Sequence, residues 1–196
     1  MKVNGRKSVT IAIISMLVVT GIVVVYLLLS RDKSSSGGII TKDPAGAMLG
    51  LADLPQGWSI EFEEYYSAPD IYAQKYNEWG FENGFEREFK KGTAHLTSRA
   101  ERFSTVDGAK KAFEYWLLVA NGMVHSGYAA HLEHDTVGDQ SFFLQSFNIS
   151  HAFMGYSAMF RKSNFLVNVI YNQDNVDECT ISDIIGYLQT SEDRLS

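Results

Sequence analysis

The chain has 196 residues, a formal net charge of −6 and a single cysteine. Five of its 17 basic residues and one of its 23 acidic residues precede residue 40. Residues 40–196 therefore contain 12 basic and 22 acidic residues and have a net charge of −10. A surface of that sign repels phosphate backbones, so nucleic acid is excluded as an expected partner. A single cysteine excludes an intramolecular disulfide, and the two acidic residues before Cys179 disfavour a reactive thiolate.

An uncharged run near the N-terminus predicts a membrane anchor. As a helix, residues 9–29 would be about 32 Å long, enough to cross a hydrocarbon core. Arg31, Asp32 and Lys33 follow directly, without a small-residue cleavage site, so we expect the helix to be retained. More positive charge precedes the run than follows it, which favours a cytoplasmic N-terminus.

The predicted organisation has four parts. A cytoplasmic N-terminus (1–8) leads into a single-pass transmembrane helix (9–29) and a flexible Ser/Gly-rich linker (30–39). Residues 40–196 are long enough to form one extracytoplasmic domain with its own core. The triplet that begins at Asn148 is a glycosylation sequon, which agrees with an external domain.

Hydrophobic periodicity predicts the elements of the first half of this domain. A helix is expected to begin at Asp43-Pro44 and to end before Leu54-Pro55. The period then changes to two, so Trp58, Ile60 and Phe62 should share one face of a half-buried strand. The elements expected next are a short helix within 70–79 and strands near Phe85–Lys90 and Ala94–Phe103.

The second half is expected to contain two further helices and three strands. Ser104–Asp107 resembles a capping box that begins a long helix, and Asn121-Gly122 is a typical helix end. After a polar loop, three strands carry apolar residues on both faces, which is typical of central positions in a sheet. Asn175 is expected to cap the last helix. The predicted strands are Ser141–Phe147, Ala152–Arg161 and Phe165–Tyr171.

The element order α-βββα-βββα indicates an internal duplication. The segment Phe89-Lys90-Lys91-Gly92-Thr93 matches Phe160-Arg161-Lys162-Ser163-Asn164 as a basic hairpin turn. Val106-Asp107 likewise matches Val176-Asp177 near the start of each helix. The alternative is chance similarity between two hairpins. Either way, the predicted fold class is α+β, with a mainly antiparallel sheet of about six strands packed by helices.

Three short blocks resemble small membrane-anchored extracytoplasmic proteins with a PsbP-like α/β/α sandwich. They are Leu54-Pro55-x-Gly57-Trp58, Gly138-Asp139-x-Ser141 and Phe160-Arg161-Lys162-x-Asn164, within a region similar in element order from Gly50 to Leu188. The resemblance implies a sandwich fold and an accessory role in binding or assembly. It implies no catalytic residues.

An aromatic cluster is the candidate ligand or partner surface. If 70–79 is helical, Tyr72, Tyr76 and Trp79 share a face, and rings with polar tips suit protein, peptide or carbohydrate partners. The alternative is that these rings are ordinary core.

Catalytic and metal-binding patterns are weak. His131-x-x-His134, with Asp139, could hold a metal or serve a hydrolase, but a polar surface loop explains these residues more simply. A second set of acidic residues occupies outward-facing alternate strand positions beside Lys90 and Arg99, as in a solvated cross-strand charge ladder. It consists of Glu61, Glu63, Glu86, Glu88 and Glu101. We therefore expect no cofactor, no metal site and no catalytic residues.

The favoured function is a non-catalytic, membrane-tethered extracytoplasmic binding or accessory module. The alternatives are an extracytoplasmic hydrolase that uses the region of His131, His134 and Asp139, and a structural subunit of a membrane complex.

Overall fold

Seven antiparallel strands form one continuous sheet in the part of the chain that this computed structural model describes, residues 38–68, 73–148, 150, 152–173 and 179–196. They are β1 (Ser59–Tyr66), β2 (Phe81–Lys91), β3 (Ala94–Phe103), β4 (Ala129–His131), β5 (Gln140–Phe147), β6 (Phe153–Lys162) and β7 (Phe165–Asn172). Their spatial order is β1-β2-β3-β7-β6-β5-β4, and every neighbouring pair is antiparallel. The predicted α+β class and mainly antiparallel sheet are confirmed.

Helices cover both faces of the sheet. The described residues form α1 (Pro44–Ala47), α2 (Ala73–Glu78), α3 (Val106–His125) and α4 (Ile181–Arg194), with a 3-10 turn at Leu51–Asp53. Adjacent residues of β7 define the two faces, because successive strand side chains point to opposite sides. Leu166 packs in one core with Phe113 of α3, whereas Val167 packs in the other with Ile184 of α4. The apolar strands predicted as central are therefore buried on both sides.

The sheet has one strand more than predicted. The strand β4 lies in the segment that was expected to be a polar loop, and it pairs with Leu144–Ser146 of β5. Three residues are too few for an alternating pattern to be visible in the sequence.

The helix α3 also passes its predicted end at Asn121-Gly122 and continues to His125. Gly122 is exposed, with open space where a Cβ would lie. A glycine there costs only about 1 kcal/mol relative to alanine.

The N-terminal helix is shorter than predicted. Asp43 caps α1 and Pro44 occupies its first turn, as expected, but the helix ends at Ala47. Ala47, Met48 and Leu49 are all buried. Three consecutive residues occupy more than half the circumference of a helix, so the chain leaves the helix to bury all three.

A buried asparagine joins this N-terminal segment to the sheet. The side chain of Asn164 accepts a hydrogen bond from the Ile40 N–H (2.8 Å) and donates to the carbonyls of Ile40 (3.1 Å) and Phe103 (2.7 Å). Asn164 follows Ser163 in the β6–β7 turn, where Ser163 has φ 52°. Asp139 accepts a hydrogen bond from the Ser163 N–H at 2.8 Å, which stabilises this turn.

The edge strand β1 differs from its prediction. It is exposed along almost its whole length, and Trp58, Ile60 and Phe62 do not share one face. A register shift places Ile60 opposite Phe89 and Phe62 opposite Glu88. Adjacent strand residues point to opposite faces, so this bulge sends Ile60 and Phe62 to opposite sides of the sheet.

The duplication stays a prediction, because the two hairpins are arranged symmetrically but the helices that follow them are not. The turn Gly92-Thr93 joins β2 to β3 as Ser163-Asn164 joins β6 to β7. Because β3 and β7 are antiparallel neighbours, a twofold axis perpendicular to the sheet relates the two hairpins. Such a rotation keeps each face on its own side, yet α3 and α4 cover opposite faces. The helix α4 begins at Ile181, capped by Thr180. Asn175, its predicted cap, lies outside the described residues.

The predicted transmembrane helix (9–29) also lies outside the described residues. Among the residues that are described, no helix is long and apolar enough to cross a membrane.

Candidate ligand-binding site

A cavity of about 160 Å³ lies between α3 and the sheet. The C-terminal half of α3 forms one wall with Trp116, Val119, Ala120 and Met123, and four neighbouring strands form the other. Met123 is 38% exposed, so the cavity borders solvent at this end. Small-molecule sites are typically concave and mostly apolar, with a few converging polar groups.

The polarity of the sheet wall changes from strand to strand. The strand β3 contributes charged residues, β7 and β6 each contribute one polar residue among apolar ones, and β5 contributes apolar residues alone. The lining residues are Arg99 and Glu101 from β3; Leu166, Asn168 and Ile170 from β7; Ser157 and Met159 from β6; and Phe142 and Leu144 from β5. The cavity therefore has a charged end and an apolar end.

Two tyrosines hold the carboxyl group of Glu101 at the charged end. Tyr66 Oη donates to Glu101 Oε1 and Tyr76 Oη donates to Oε2, each at 3.0 Å. Trp116 Nε1 donates to Tyr76 Oη at 2.7 Å, which orients that phenol. The carboxyl group is thus fixed from β1, α2 and α3 together.

Burial raises the pKa of Glu101 from its ordinary value of 4.5 to about 7, although both phenol hydrogen bonds and the nearby Arg99 act in the opposite direction. Burial and the adjacent Glu101 carboxyl also raise the pKa of Tyr66 and Tyr76. Both phenols therefore remain protonated and donate. Perturbed titration within a cavity is a mark of functional sites.

Further carboxylates surround the charged end. Arg99 forms a two-pronged ion pair with Glu86, Nε to Oε2 at 2.5 Å and Nη2 to Oε1 at 3.0 Å. Burial and the neighbouring Glu86 raise the pKa of Glu88. Glu86, Glu88 and Glu101 thus share one nearby guanidinium group, and this end of the cavity has an excess of negative charge.

The predicted charge ladder is present, and Glu101 is the exception to it. Lys90 pairs with Glu61 at 3.0 Å, and both side chains are well exposed. Arg87, which is largely buried, pairs with Glu63 at 2.8 Å. The expectation that Glu101 is one more solvated member is wrong. Its strand position faces α3 and α2, which cover it.

Two of the three residues of the predicted aromatic surface lie within the described part of the chain. Tyr76 is fully buried, so its ring belongs to the core, as the alternative interpretation predicts. Its hydroxyl is the part that contributes to the site. Trp79 is partly buried and packs on Tyr76 and Tyr115. Tyr72 lies outside the described residues.

The histidines and Asp139 have partners away from the cavity. His131 Nε2 hydrogen-bonds to Asn121 Oδ1 at 2.8 Å, and His134 packs against Phe143 with tilted rings and 3.9 Å between ring centroids. Asp139 pairs with the buried Arg161 at 2.9 Å. None of these three predicted residues lines the cavity. Within the described ranges, no group of three or more His, Cys, Asp or Glu side chains could hold a metal ion.

The sequon residue Asn148 lies just after β5. Its side-chain oxygen accepts hydrogen bonds from the N–H groups of Ser150 (2.8 Å) and Ala152 (3.0 Å). Glycosylation at this position stays a prediction.

Sequence reasoning missed Arg99, Glu101, Ser157 and Asn168 as a site. One signal was visible: Asn168 interrupts the otherwise apolar run of β7. Alternation in β3 also places Arg99 and Glu101 on one face. The sequence did not indicate that α3 covers this same face. That placement depends on contacts between residues distant in the chain, such as the pairing of β3 with β7.

No family model and no curated protein matches the chain in sequence. In structure the chain is similar to the extracellular domain of PknH from Mycobacterium tuberculosis, with a TM-score of 0.51 and 10% identity over 77% of this chain and 93% of that one. An uncharacterised protein of Mycobacterium smegmatis, the Rv0999 ortholog, has a TM-score of 0.46 and 8% identity over 78% of this chain and 96% of its own. The first likeness establishes a shared fold. The PsbP-like relationship stays a prediction.

Proposed function

We propose that this chain is a membrane-tethered, extracytoplasmic accessory module without catalytic activity, which binds a small amphipathic molecule in the cavity under α3. The change in polarity along the cavity is the observation that carries this proposal. A ligand with one polar end and an apolar body matches the charged residues of β3 at one end and the apolar residues of β5 at the other.

The size of the cavity supports a small ligand. An apolar protein cavity of about 150 Å³ is large enough to bind benzene. The present cavity, about 160 Å³, accommodates one ring or an aliphatic chain of similar volume.

The extracytoplasmic placement rests on the uncharged run 9–29 and on the excess of positive charge that precedes it. The fold shared with the extracellular domain of PknH supports the same placement. A hydrolase centred on His131, His134 and Asp139 lacks comparable support, because the cavity does not include these residues.

Binding of a neutral probe tests the proposal. We expect 1-hexanol to bind saturably to the full-length chain in phosphatidylcholine nanodiscs, as measured by calorimetry after subtraction of empty nanodiscs. Ala120→Phe places a ring in the cavity and should abolish this binding. Leu118→Phe is the matched control, because Leu118 lies two residues away on the same helix and is 69% exposed.

Overpacking a core lowers the free energy of unfolding by about 1–3 kcal/mol. Thermal unfolding must therefore show that Ala120→Phe is folded. If it is not, Met123→Trp at the edge of the cavity takes its place. Non-saturable binding, or saturable binding that a folded blocking variant leaves unchanged, would refute the proposal.

A further inference from the structure

We propose that the ligand is a small amine, whose ammonium group binds the carboxylate of Glu101 and whose apolar body lies under α3. This inference rests on the proposed function and names the chemical class of the ligand. Two features of the charged end support it: the balance of charge and the orientation of Glu101.

The balance of charge favours a cation. The two-pronged pair with Glu86 occupies Nε and Nη2 of Arg99, and none of the ion pairs among the described residues involves Glu101. Its hydrogen-bond donors, Tyr66 and Tyr76, are neutral. Glu101 is partly buried, and a carboxylate withdrawn from water is costly unless it is paired. An ammonium group would supply the missing partner.

The orientation of Glu101 leaves room for such a donor. An ionised carboxylate has about four acceptor positions on its two oxygens, and the two phenols use one on each oxygen. Trp116 fixes Tyr76, and Tyr76 in turn fixes Glu101. Since the site is already ordered, a ligand loses little binding energy in organising it.

Other head groups fit less well. An anionic head would approach the carboxylates of Glu86, Glu88 and Glu101, while the guanidinium of Arg99 is already engaged. A neutral hydroxyl could donate one hydrogen bond without neutralising Glu101. An ammonium group can do both.

Amine binding should depend on pH in one direction. The groups that face Glu101 are Tyr66 from β1, Tyr76 from α2, Trp116 from α3, and Arg99 with its partner Glu86. The raised pKa of Glu101, about 7, means that the carboxyl is mostly protonated at pH 6 and mostly ionised at pH 8. If only the ionised form binds the ammonium group, the affinity rises about tenfold over this interval.

Three probes of equal chain length test the inference: hexylamine, 1-hexanol and hexanoate, each titrated at pH 6 and pH 8 into the full-length chain in phosphatidylcholine nanodiscs. We expect hexylamine to bind at least tenfold more tightly than the other two at pH 8, and to lose about tenfold at pH 6. Glu101→Gln should abolish both the preference and its pH dependence. Glu63→Gln, which removes a carboxylate that pairs with Arg87 on the other face of the sheet, should change neither.

A second variant keeps the test valid if Glu101→Gln does not fold. Tyr66→Phe removes one hydrogen bond that lowers the pKa of Glu101, so it should move the pH midpoint of hexylamine binding upward.

The ammonium group could belong to a lipid head group or to a free amine, and phosphatidylethanolamine added to the nanodiscs distinguishes the two. Competition with hexylamine assigns a lipid head group, and its absence assigns a free amine.

Failure of the inference and of the proposed function are distinguishable. Equal affinity for hexylamine and 1-hexanol, or tighter binding of hexanoate, would overturn the amine assignment and leave a binding cavity. Absence of saturable binding for all three probes would overturn both.

Discussion

Replacing Glu101 with glutamine is expected to stabilise the folded protein at pH 8, although Glu101 belongs to the proposed binding site. Burial raises the pKa of this carboxyl to about 7 from an ordinary value of 4.5. A folded-state pKa above the unfolded one means that protonation favours the fold. That stabilisation is fully present below about pH 4.5 and is lost as the pH rises through about 7.

The magnitude follows from the same two values. Each pKa unit corresponds to about 1.4 kcal/mol, so the difference between 4.5 and about 7 corresponds to about 3 kcal/mol at most. Solvent that reaches the cavity beside Met123 reduces this free energy. Glutamine is uncharged, and it can accept a hydrogen bond from Tyr76 and donate one to Tyr66. We therefore expect Glu101→Gln to raise the free energy of unfolding by about 1–3 kcal/mol at pH 8 and to change it by less than about 0.5 kcal/mol at pH 4.5.

Urea denaturation at both pH values, followed by tryptophan fluorescence, measures this difference. Glu63→Gln serves as the control, because its carboxylate is on an exposed edge strand, and it should change the free energy of unfolding by less than about 0.5 kcal/mol at either pH. A Glu101→Gln variant that is less stable than the wild type at pH 8, or whose effect is the same at both pH values, would refute the reasoning.

Three further predictions concern topology and the two buried anchors of the fold. Protease added to right-side-out vesicles should remove the domain beyond Lys33, and protection until lysis would contradict the external placement. Tyr76→Ala should lower the free energy of unfolding by about 3–5 kcal/mol, since Tyr76 is fully buried; a loss below about 1 kcal/mol in urea denaturation would contradict this. Asn164→Ala removes the side chain that hydrogen-bonds to the Phe103 carbonyl and to both backbone groups of Ile40. It should lower the free energy of unfolding by about 3 kcal/mol or more in the same assay. An unchanged midpoint would contradict this role.

The free-energy cost of ionising Glu101 makes this residue informative about function. The raised pKa predicts that the ionised Glu101 carboxylate lowers the free energy of unfolding at neutral pH. Two tyrosines and a tryptophan are nevertheless arranged around it. Glutamine would provide similar hydrogen bonds without the charge. A group that is costly in this way is a stronger candidate for function than the solvated ladder pair of Glu61 and Lys90.

Local patterns predicted much of the secondary structure. The strand Ala94–Phe103 was predicted with its observed limits, because a ten-residue alternation and a Gly turn are local signals. The predicted capping-box segment Ser104–Asp107 also contains the start of α3, where the N-cap is Thr105. The errors occur where a local pattern competes with long-range packing. Met48 and Leu49 leave the helical pattern to enter the core, and the bulge after Ile60 reverses the side on which Phe62 lies.

The sequence by itself determined the charge of the domain, the uncharged run 9–29, the α+β class and the central position of the apolar strands. These follow from composition and from periods of 2.0 and 3.6 residues, which a short stretch of chain contains. Only the tertiary structure decided that β3 lies beside β7 and that α3 covers the face carrying Arg99 and Glu101. A glutamate in an alternating strand has the same local sequence whether that face meets water or a helix. The cavity, and the altered pKa of Glu101 within it, exist only because residues distant in the chain are brought together.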